Sequence, residues 1–434
     1  MNSIYSKLKS TVFSSEINRK IITHGFWIVS GNIVSKFFLL IATILMAKFL
    51  NKEEYGQFGI IKSTILMFAL FAGMELGITA TKYISQYKTL NPKKIEKIIG
   101  LSNFFALLIS IIITLLVFLF AEEIAKQINA PHLSLEIKIS SFVLFFSSLN
   151  GIQNGILAGV EKFRDLSVNT TVAGVLSSLA MVVASKYNNL NWVVIAFGSN
   201  FFILFILNFF SLKKYFYPFY KVSVFDKSNF EEITILWKFS LPAILAGLMV
   251  GPVTWFCNYL LVNQVNGYQQ MANFDIANQW RNTILFIPGA LCQIALPLLS
   301  STLDNKEEYK SIYIKNIKIN FYITLVLVIF LVAISPIIIN MYGEKYSDAI
   351  VPIILMFVTS GFIAVNNVIG QAIASKNMMW LGFYVNLLWA FVLIVCSYFF
   401  VVYFNYGAIG LSIAYLISYI IHTIVQFLFI NKKI

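Results

Sequence analysis

The chain has 434 residues, of which 59 % are hydrophobic, 16 % aromatic and only 12 % charged, with a mean hydropathy of +0.79. Water-soluble folds rarely carry such values; long apolar stretches separated by short charged runs are the pattern of a chain crossing a bilayer many times. The formal charge of +13 is spread over short loops rather than one basic face, which speaks for membrane orientation and against nucleic-acid binding.

A polar leader, residues 1–20, carries Lys7, Lys9, Arg19 and Lys20. The apolar stretch behind it, 21–49, is too long for the hydrophobic part of a cleaved signal and reads as a first membrane helix. A second span over 57–83 is apolar enough to cross although Lys62 and Glu75 lie inside it, as Lys36 lies inside the first. Stretches free of Asp, Glu, Lys and Arg then run over 98–121, 139–160, 166–185, 187–212, 239–274, 282–303, 319–343 and 349–375. The last uncharged run, 377–431, holds two helices around the polar turn at Tyr403 to Gly407. At about 20 residues per crossing this predicts twelve transmembrane helices. The cysteines (Cys257, Cys292, Cys396) and histidines (His24, His132, His422) are scattered singly, with neither disulfide nor metal-site spacing.

Alternate connections differ in charge. The set containing both termini holds 23 of the 32 Lys and Arg residues, the opposite set 6, and Lys36, Lys62 and Arg281 fall within the membrane. Both termini are therefore expected in the cytoplasm. Residues 25–60 and 239–276 share a layout, a long helix leading through a short outer loop into a helix with Phe-x-Ile (Phe58 to Ile60, Phe274 to Ile276). An internal repeat of six helices per half follows, with the halves related by an axis along the membrane normal. The expected organisation is a leader (1–20), an N-terminal half (21–212), a cytoplasmic linker (213–234), a C-terminal half (235–431) and a cytoplasmic end (432–434).

Three segments carry a family resemblance. Residues 47–59 (AKFLNKEEYGQFG) resemble the opening of polysaccharide-exporter proteins, a long helix followed by a basic-x-Leu step, polar residues and Tyr-Gly-x-aromatic. Residues 151–163 (GIQNGILAGVEKF) are similar to the Gly-rich element ending in Glu-Lys-Phe that closes their fourth helix. The Leu241-Pro242 step, followed by PGAL at 288–291 and LPLLS at 296–300, resembles their proline pattern of helices 7 and 8. With the span count and matched halves, this resembles Wzx-type O-antigen flippases, relatives of the multidrug and toxic-compound extruders (MATE) in the multidrug/oligosaccharidyl-lipid/polysaccharide (MOP) exporter superfamily. The resemblance implies an all-α, V-shaped, alternating-access transporter in a bacterial inner membrane. It implies that the cargo is an undecaprenyl-diphosphate-linked oligosaccharide moved from the cytoplasmic to the periplasmic leaflet. Membrane lipids and other polysaccharide-assembly proteins are its implied partners; no cofactor is expected beyond a coupling H+ or Na+.

Ionisable side chains at membrane depth are costly and are expected to face a wet cavity or to pair with each other. Lys36, Lys62 and Arg281 suit a diphosphate, and Arg281 can contact it through two nitrogens. The segment around Arg281 is unusually polar, with Asp275, Asn278, Trp280 and Asn282 offering amides and a ring for sugars; Trp255 with Asn258 offers a second such patch. Asn366, Asn367 and Gln371 are weaker candidates, since amides also bond between helices. Glu75 is the candidate carrier of the coupling ion. The alternatives are snorkelling lysines, an Asp275–Arg281 pair, and a fixed bridge from Glu75 to Lys36 or Lys62. A membrane polymerase or ligase lacks its catalytic spacing here and a channel its charged rings; a cationic-drug extruder, the closer rival, favours an acidic chamber.

Overall fold

Inside hydrocarbon every backbone N–H and C=O must be bonded within the chain, so an apolar chain of this kind resolves into helices. The computed structural model describes residues 16–71, 76–88, 90–187, 189–235, 249–289, 299, 302, 305–376 and 378–431, and among them every long element is helical. The helices are α1 (Glu16–Phe49), α2 (Lys52–Phe71), α3 (Leu76–Tyr87), α4 (Pro92–Leu119), α5 (Ala121–Gln127), α6 (Ser134–Gly159), α7 (Phe163–Lys186) and α8 (Leu190–Tyr215) in the first half. The second half has α9 (Val250–Val262), α10 (Gly267–Ile284), α11 (Lys306–Ala333), α12 (Ser335–Tyr342), α13 (Ile350–Ser375), α14 (Met379–Ser397) and α15 (Gly407–Asn431). Nine helices among the described residues are long and apolar enough to cross, and α2 with α3, bent by 44°, makes a tenth. The short apolar α9 and the polar α10 stand where the other two of the twelve expected spans were read, and neither is by itself both long and apolar enough to cross.

Asparagines set several helix starts. Asn91 accepts from Lys94 N ahead of Pro92, Asn189 from Trp192 N, and Asn305 from Glu308 N. At α2, Asn51 and Glu54 cap each other reciprocally, N–H of each to the other's side chain.

Within the first half, α1 packs on α7, and α6 lies against α3, α4 and α8. The α3–α6 contact is backbone on backbone: a Cβ added to Gly155 would lie 2.1 Å from the carbonyl oxygen of Gly77. Membrane helices approach this closely only through small residues. Amides fasten the rest: Asn169 on α7 donates to Asn208 on α8 (2.9 Å), which donates to Asn154 on α6 (2.8 Å). The loop after α8 is tied back to α4, where Glu96 accepts from Lys221 N (2.7 Å) and Lys97 pairs with Glu231 (2.6 Å). In that loop Asp226 accepts from Ser228 N, a bond that holds its carboxyl below the ordinary value.

The polar segment around Arg281 begins earlier than the sequence suggests. Asp275 and Arg281 were expected in the first turns of the eighth span, but α10 starts at Gly267, after a turn in which Asn266 adopts φ 55°. Asp275 is thus the ninth residue of its helix and Arg281 the fifteenth. The described part of the uncharged run 239–274 contains α9, a turn, and two turns of α10, because apolar and amide residues continue across the bend.

Candidate functional site

The two halves meet along α2, which packs against both α9 and α10. Helices α2 and α10 are the ones that the sequence match at Phe58–Ile60 and Phe274–Ile276 pairs, and they are in direct contact. The closest approach is at Gly56, where an added Cβ would lie 1.8 Å from the carbonyl oxygen of Tyr268. No residue with a side chain fits there without parting the helices.

Going inward from Asn51 at 1.5 Å per residue, Lys62 lies roughly 16 Å down α2, near mid-membrane, and Asp275 roughly 12 Å down α10. There they find each other. Lys62 Nζ is 2.8 Å from both carboxylate oxygens of Asp275, whose side chain is 4 % exposed. Beside this pair, Asn258 donates to Ser63 Oγ (2.8 Å) and Trp255 Nε1 to Thr64 Oγ1 (2.9 Å). Four of the expected substrate contacts, Lys62, Asp275, Trp255 and Asn258, therefore form a polar seam stitching α2 to α9 and α10. Ser63 and Thr64, which complete it, were not singled out from sequence; their adjacency to Lys62 was the available signal.

Further contacts between halves gather at the end opposite the termini. Lys345 Nζ donates to Leu50 O (2.5 Å), Lys52 faces Asp348 (3.6 Å), Tyr55 meets Tyr346 edge-on, and Tyr268 OH donates to Ile128 O (2.5 Å). Toward the terminal end the polar ties named among the described residues are local, as with Lys97–Glu231 and Tyr309 OH with Ser375 Oγ (2.9 Å), while α2 and α9 still touch at Leu70 and Gly251. The polar clasp between the halves, among the described residues, lies at the end opposite the termini.

On the terminal side of the seam stand the cations that Asp275 does not neutralise. Lys36 and Arg281 each lie roughly 20 Å from the clasped end along their helices. Lys36 Nζ sits 4.9 Å from the centroid of Phe286, bringing α1 against the segment that follows α10. The Arg281 guanidinium lies 5.1 Å from the Tyr415 ring, and its Nε and Nη1 are buried without a hydrogen-bond acceptor among the described residues. The expected alternative, an Asp275–Arg281 pair, does not form. Asn278 Oδ1 is also buried and unpartnered, Asn282 is exposed, and Trp280 spends its N–H on Tyr342 OH (3.0 Å). Arg281 Nη2 lies 3.5 Å from Asn282 Oδ1, so the buried polar atoms left without a partner here among the described residues are Arg281 Nε and Nη1 and Asn278 Oδ1. Glu75 lies outside the described residues.

Of the weaker candidates, Asn366 lies 3.0 Å from His422 Nδ1, within the second half. His422 was passed over as a lone histidine; the signal for it is the four-three-four spacing of Tyr415, Tyr419, His422 and Gln426 along one face of α15.

A family model described as polysaccharide biosynthesis protein matches residues 44–352. Among curated proteins, the EPS I polysaccharide export inner membrane protein EpsE of Ralstonia nicotianae is 25 % identical over 192 residues, 44 % of each chain, so this chain spans less than half of that relative's length. Among solved structures, the lipid II flippase MurJ in an inward closed conformation superposes with TM-score 0.72 at 17 % identity, covering 93 % of this chain and 87 % of that one. An inward-facing MATE family transporter of the MOP superfamily superposes with TM-score 0.68 at 17 % identity, covering 92 % and 94 %. The multi-pass, all-helical MATE-type fold read from the sequence is the fold observed.

Proposed function

Since the chain belongs to the polysaccharide biosynthesis protein family, we propose that it is a flippase carrying a lipid-linked glycan, and not an enzyme. The observation that carries this reading is the Arg281 guanidinium, whose Nε and Nη1 are buried without an acceptor among the described residues and which meets no carboxylate there. A half-buried cation with a ring and an amide beside it but no counter-charge suits an anion. Lys36 adds a second uncompensated cation on the same side of the seam, while Lys62 and Asp275 cancel. The cleft is net basic, which disfavours a cationic drug and suits the diphosphate of an undecaprenyl-diphosphate-linked oligosaccharide. Asn278 and Asn282, one helical turn apart beside Arg281, supply amides for the first sugar. The polyprenyl tail stays in lipid.

The charge distribution of the loops puts both termini in the cytoplasm of a bacterial inner membrane, with the clasped end periplasmic. In this arrangement the cleft receives cargo from the cytoplasmic leaflet, and rocking of the halves about the α2–α10 contact presents it to the other. An ion gradient drives the cycle, with Glu75 as one proton or sodium carrier; other polysaccharide-assembly proteins consume the product. The test is gene deletion. Lipid-linked repeat units should accumulate in the cytoplasmic leaflet and be cleared by the wild-type gene but not by Arg281→Ala made at equal level. A deletion strain with no such accumulation would refute the reading.

A further inference from the structure

The second half contains a polar cluster that takes no part in the seam. On α15, His422 is 7 % exposed and surrounded by three amides. Asn366 Nδ2 on α13 lies 3.0 Å from its Nδ1; Asn386 Oδ1 on α14 lies 3.1 Å from its Nε2; Gln426 Nε2, one turn further along α15, lies 3.3 Å from the same Nε2. Neutral imidazole satisfies two of these contacts: Nδ1 accepts from Asn366, and Nε2–H donates to Asn386. It cannot satisfy the third, because Gln426 then points an N–H at a nitrogen that already bears hydrogen. The oxygens of Asn366 and Gln426 are meanwhile both buried without a donor.

These mismatches share one remedy. Turning the two amides by 180° brings Asn366 Oδ1 to Nδ1 and Gln426 Oε1 to Nε2. The ring then faces three oxygens, the partner set of a doubly protonated imidazolium, and both orphaned acceptors are filled. The cage has one arrangement for the neutral ring and another for the charged one.

No carboxylate faces the ring among the described residues, and the nearest unpaired charge, Arg281, disfavours a second cation, so the amide oxygens alone stabilise the charged ring. Residues 350–375 and 379–431, which make up α13, α14 and α15, contain no Asp, Glu, Lys or Arg. Their titratable members nearest the ring are Tyr419, with its centroid 6.2 Å from His422, and Tyr415 beyond it. From α9 the titratable groups are Cys257 and Tyr259; from α10, Asp275, already paired, and Arg281, stacked on Tyr415. Arg281, Tyr415, Tyr419 and His422 therefore form a continuous chain of ring contacts, tilted between the tyrosines and edge-on at the imidazole, from the proposed cargo site to the cage.

We infer that His422 is a reversible proton-binding site of the C-terminal half, caged by Asn366, Asn386 and Gln426, whose charge state biases the arrangement of the halves through Tyr419, Tyr415 and Arg281. The coupling rests on the alternating-access reading above. It makes His422 a proton carrier remote from the cargo, and a cation created there opposes the guanidinium that holds the diphosphate, so protonation favours release.

The full chain in lipid nanodiscs, labelled with 15N-histidine, tests the site without any glycan. It has three histidines, and His422→Gln identifies the relevant signals by their loss. Both ring nitrogens should move to the imidazolium position between pH 8 and pH 3.5. Asn366→Asp should raise the midpoint by one pH unit or more, a tenfold change in proton affinity, and Asn366→Leu should lower it. If Asn366→Leu does not fold, the other two variants carry the test. Coupling is read from spin labels at Asp165→Cys and Lys376→Cys, with Cys257, Cys292 and Cys396 replaced by Ala. Their distance distribution should shift between pH 8 and pH 3.5, and the shift should disappear in His422→Gln. A ring that stays singly protonated to pH 3.5 even in Asn366→Asp overturns the site, and an undiminished shift in His422→Gln overturns the coupling. Either failure leaves the deletion phenotype untouched, so it is distinguishable from failure of the flippase reading.

Discussion

Replacing Lys62 by Met keeps the length and apolar stem of the side chain and removes its charge. Asp275, 4 % exposed, then remains 2.8 Å from where an ammonium stood. At an effective dielectric constant of about 20 the lost attraction is about 6 kcal/mol. Part of it was already offset by desolvation of both groups, and removing one partner of a buried pair costs about 3–5 kcal/mol in net terms. Arg281 cannot substitute, since it lies six residues further along α10, roughly 9 Å down the axis. Because the pair joins the two halves, this cost falls on the clasped arrangement. It shifts the equilibrium toward an opened seam by a factor of roughly a hundred to a few thousand.

Met271, 1 % exposed and in contact range of Gly59, reports on that seam. With the native cysteines replaced by Ala, a Met271→Cys label site should react slowly with a maleimide in the parent. It should react at least tenfold faster when Lys62→Met or Asp275→Asn is added. The double variant Lys62→Met/Asp275→Leu removes both charges and should return most of the protection, giving a coupling energy above about 2 kcal/mol in a thermodynamic cycle. Single variants within about 0.5 kcal/mol of the parent, with no coupling, would show that the pair holds nothing.

Gly56→Leu places a side chain where only 1.8 Å separates a Cβ from Tyr268 O; the same maleimide assay should show an open seam while the thermal unfolding of each half is preserved. Asn208→Leu removes a fully buried amide and leaves Asn169 and Asn154 each short of a partner, which should cost about 2–4 kcal/mol in unfolding measurements with no change in seam reactivity. A periplasm-dependent reporter fused after Lys433 should be silent and one inserted at Asn405 active; the reverse result would invert the proposed direction of transport. Arg281→Lys should retain part of the export that Arg281→Ala loses, because an ammonium supplies charge without the two-pronged contact. Equal loss in both would point to the fork geometry as the whole effect.

The helices were legible in the sequence because a bilayer leaves the chain few alternatives: about 20 apolar residues in a row have to cross. Where polarity and apolarity mix, legibility fails. The turn at Asn263–Asn266 sits inside an uncharged run, so the start of α10 was read eight residues late and Asp275 seemed to lie at a helix end. The pairing of Lys62 with Asp275 spans 213 positions, and nothing local in either segment announces it. Intramembrane charge correctly flagged both residues, but charge alone does not distinguish a group that meets cargo from one that meets its counterpart across an axis. For Lys36 and Arg281 the same flag stands, since no carboxylate among the described residues meets them. His422 was missed for the opposite reason: its partners are amides on three helices, invisible to any search for clustered charges.

The seam is asymmetric under the repeat expected from the sequence. Aligning Phe58-Gly59-Ile60 with Phe274-Asp275-Ile276 makes Gly59 the counterpart of Asp275 and Asn278 the counterpart of Lys62. Two identical halves would bring like charges together at the axis, aspartate toward aspartate and lysine toward lysine, which is repulsive in a low-dielectric setting. Here each half has kept one member. Gly59 leaves room for the carboxylate, since a Cβ there would already touch Asp275 Cβ at 3.4 Å, and Asn278 keeps a neutral oxygen where a second lysine would stand. Putting Asp at position 59 would therefore crowd a second carboxylate against the first, with Lys62 left to serve both. The cost should be comparable to losing Lys62 itself. Combining Gly59→Asp with Asn278→Lys adds a second cation and should recover less than the Lys62→Met/Asp275→Leu pair does, because the space at Gly59 is already filled. Full recovery by the charge-balanced variant would mean that electrostatics alone, and not the close approach of α2 to α10, sets the geometry of the seam.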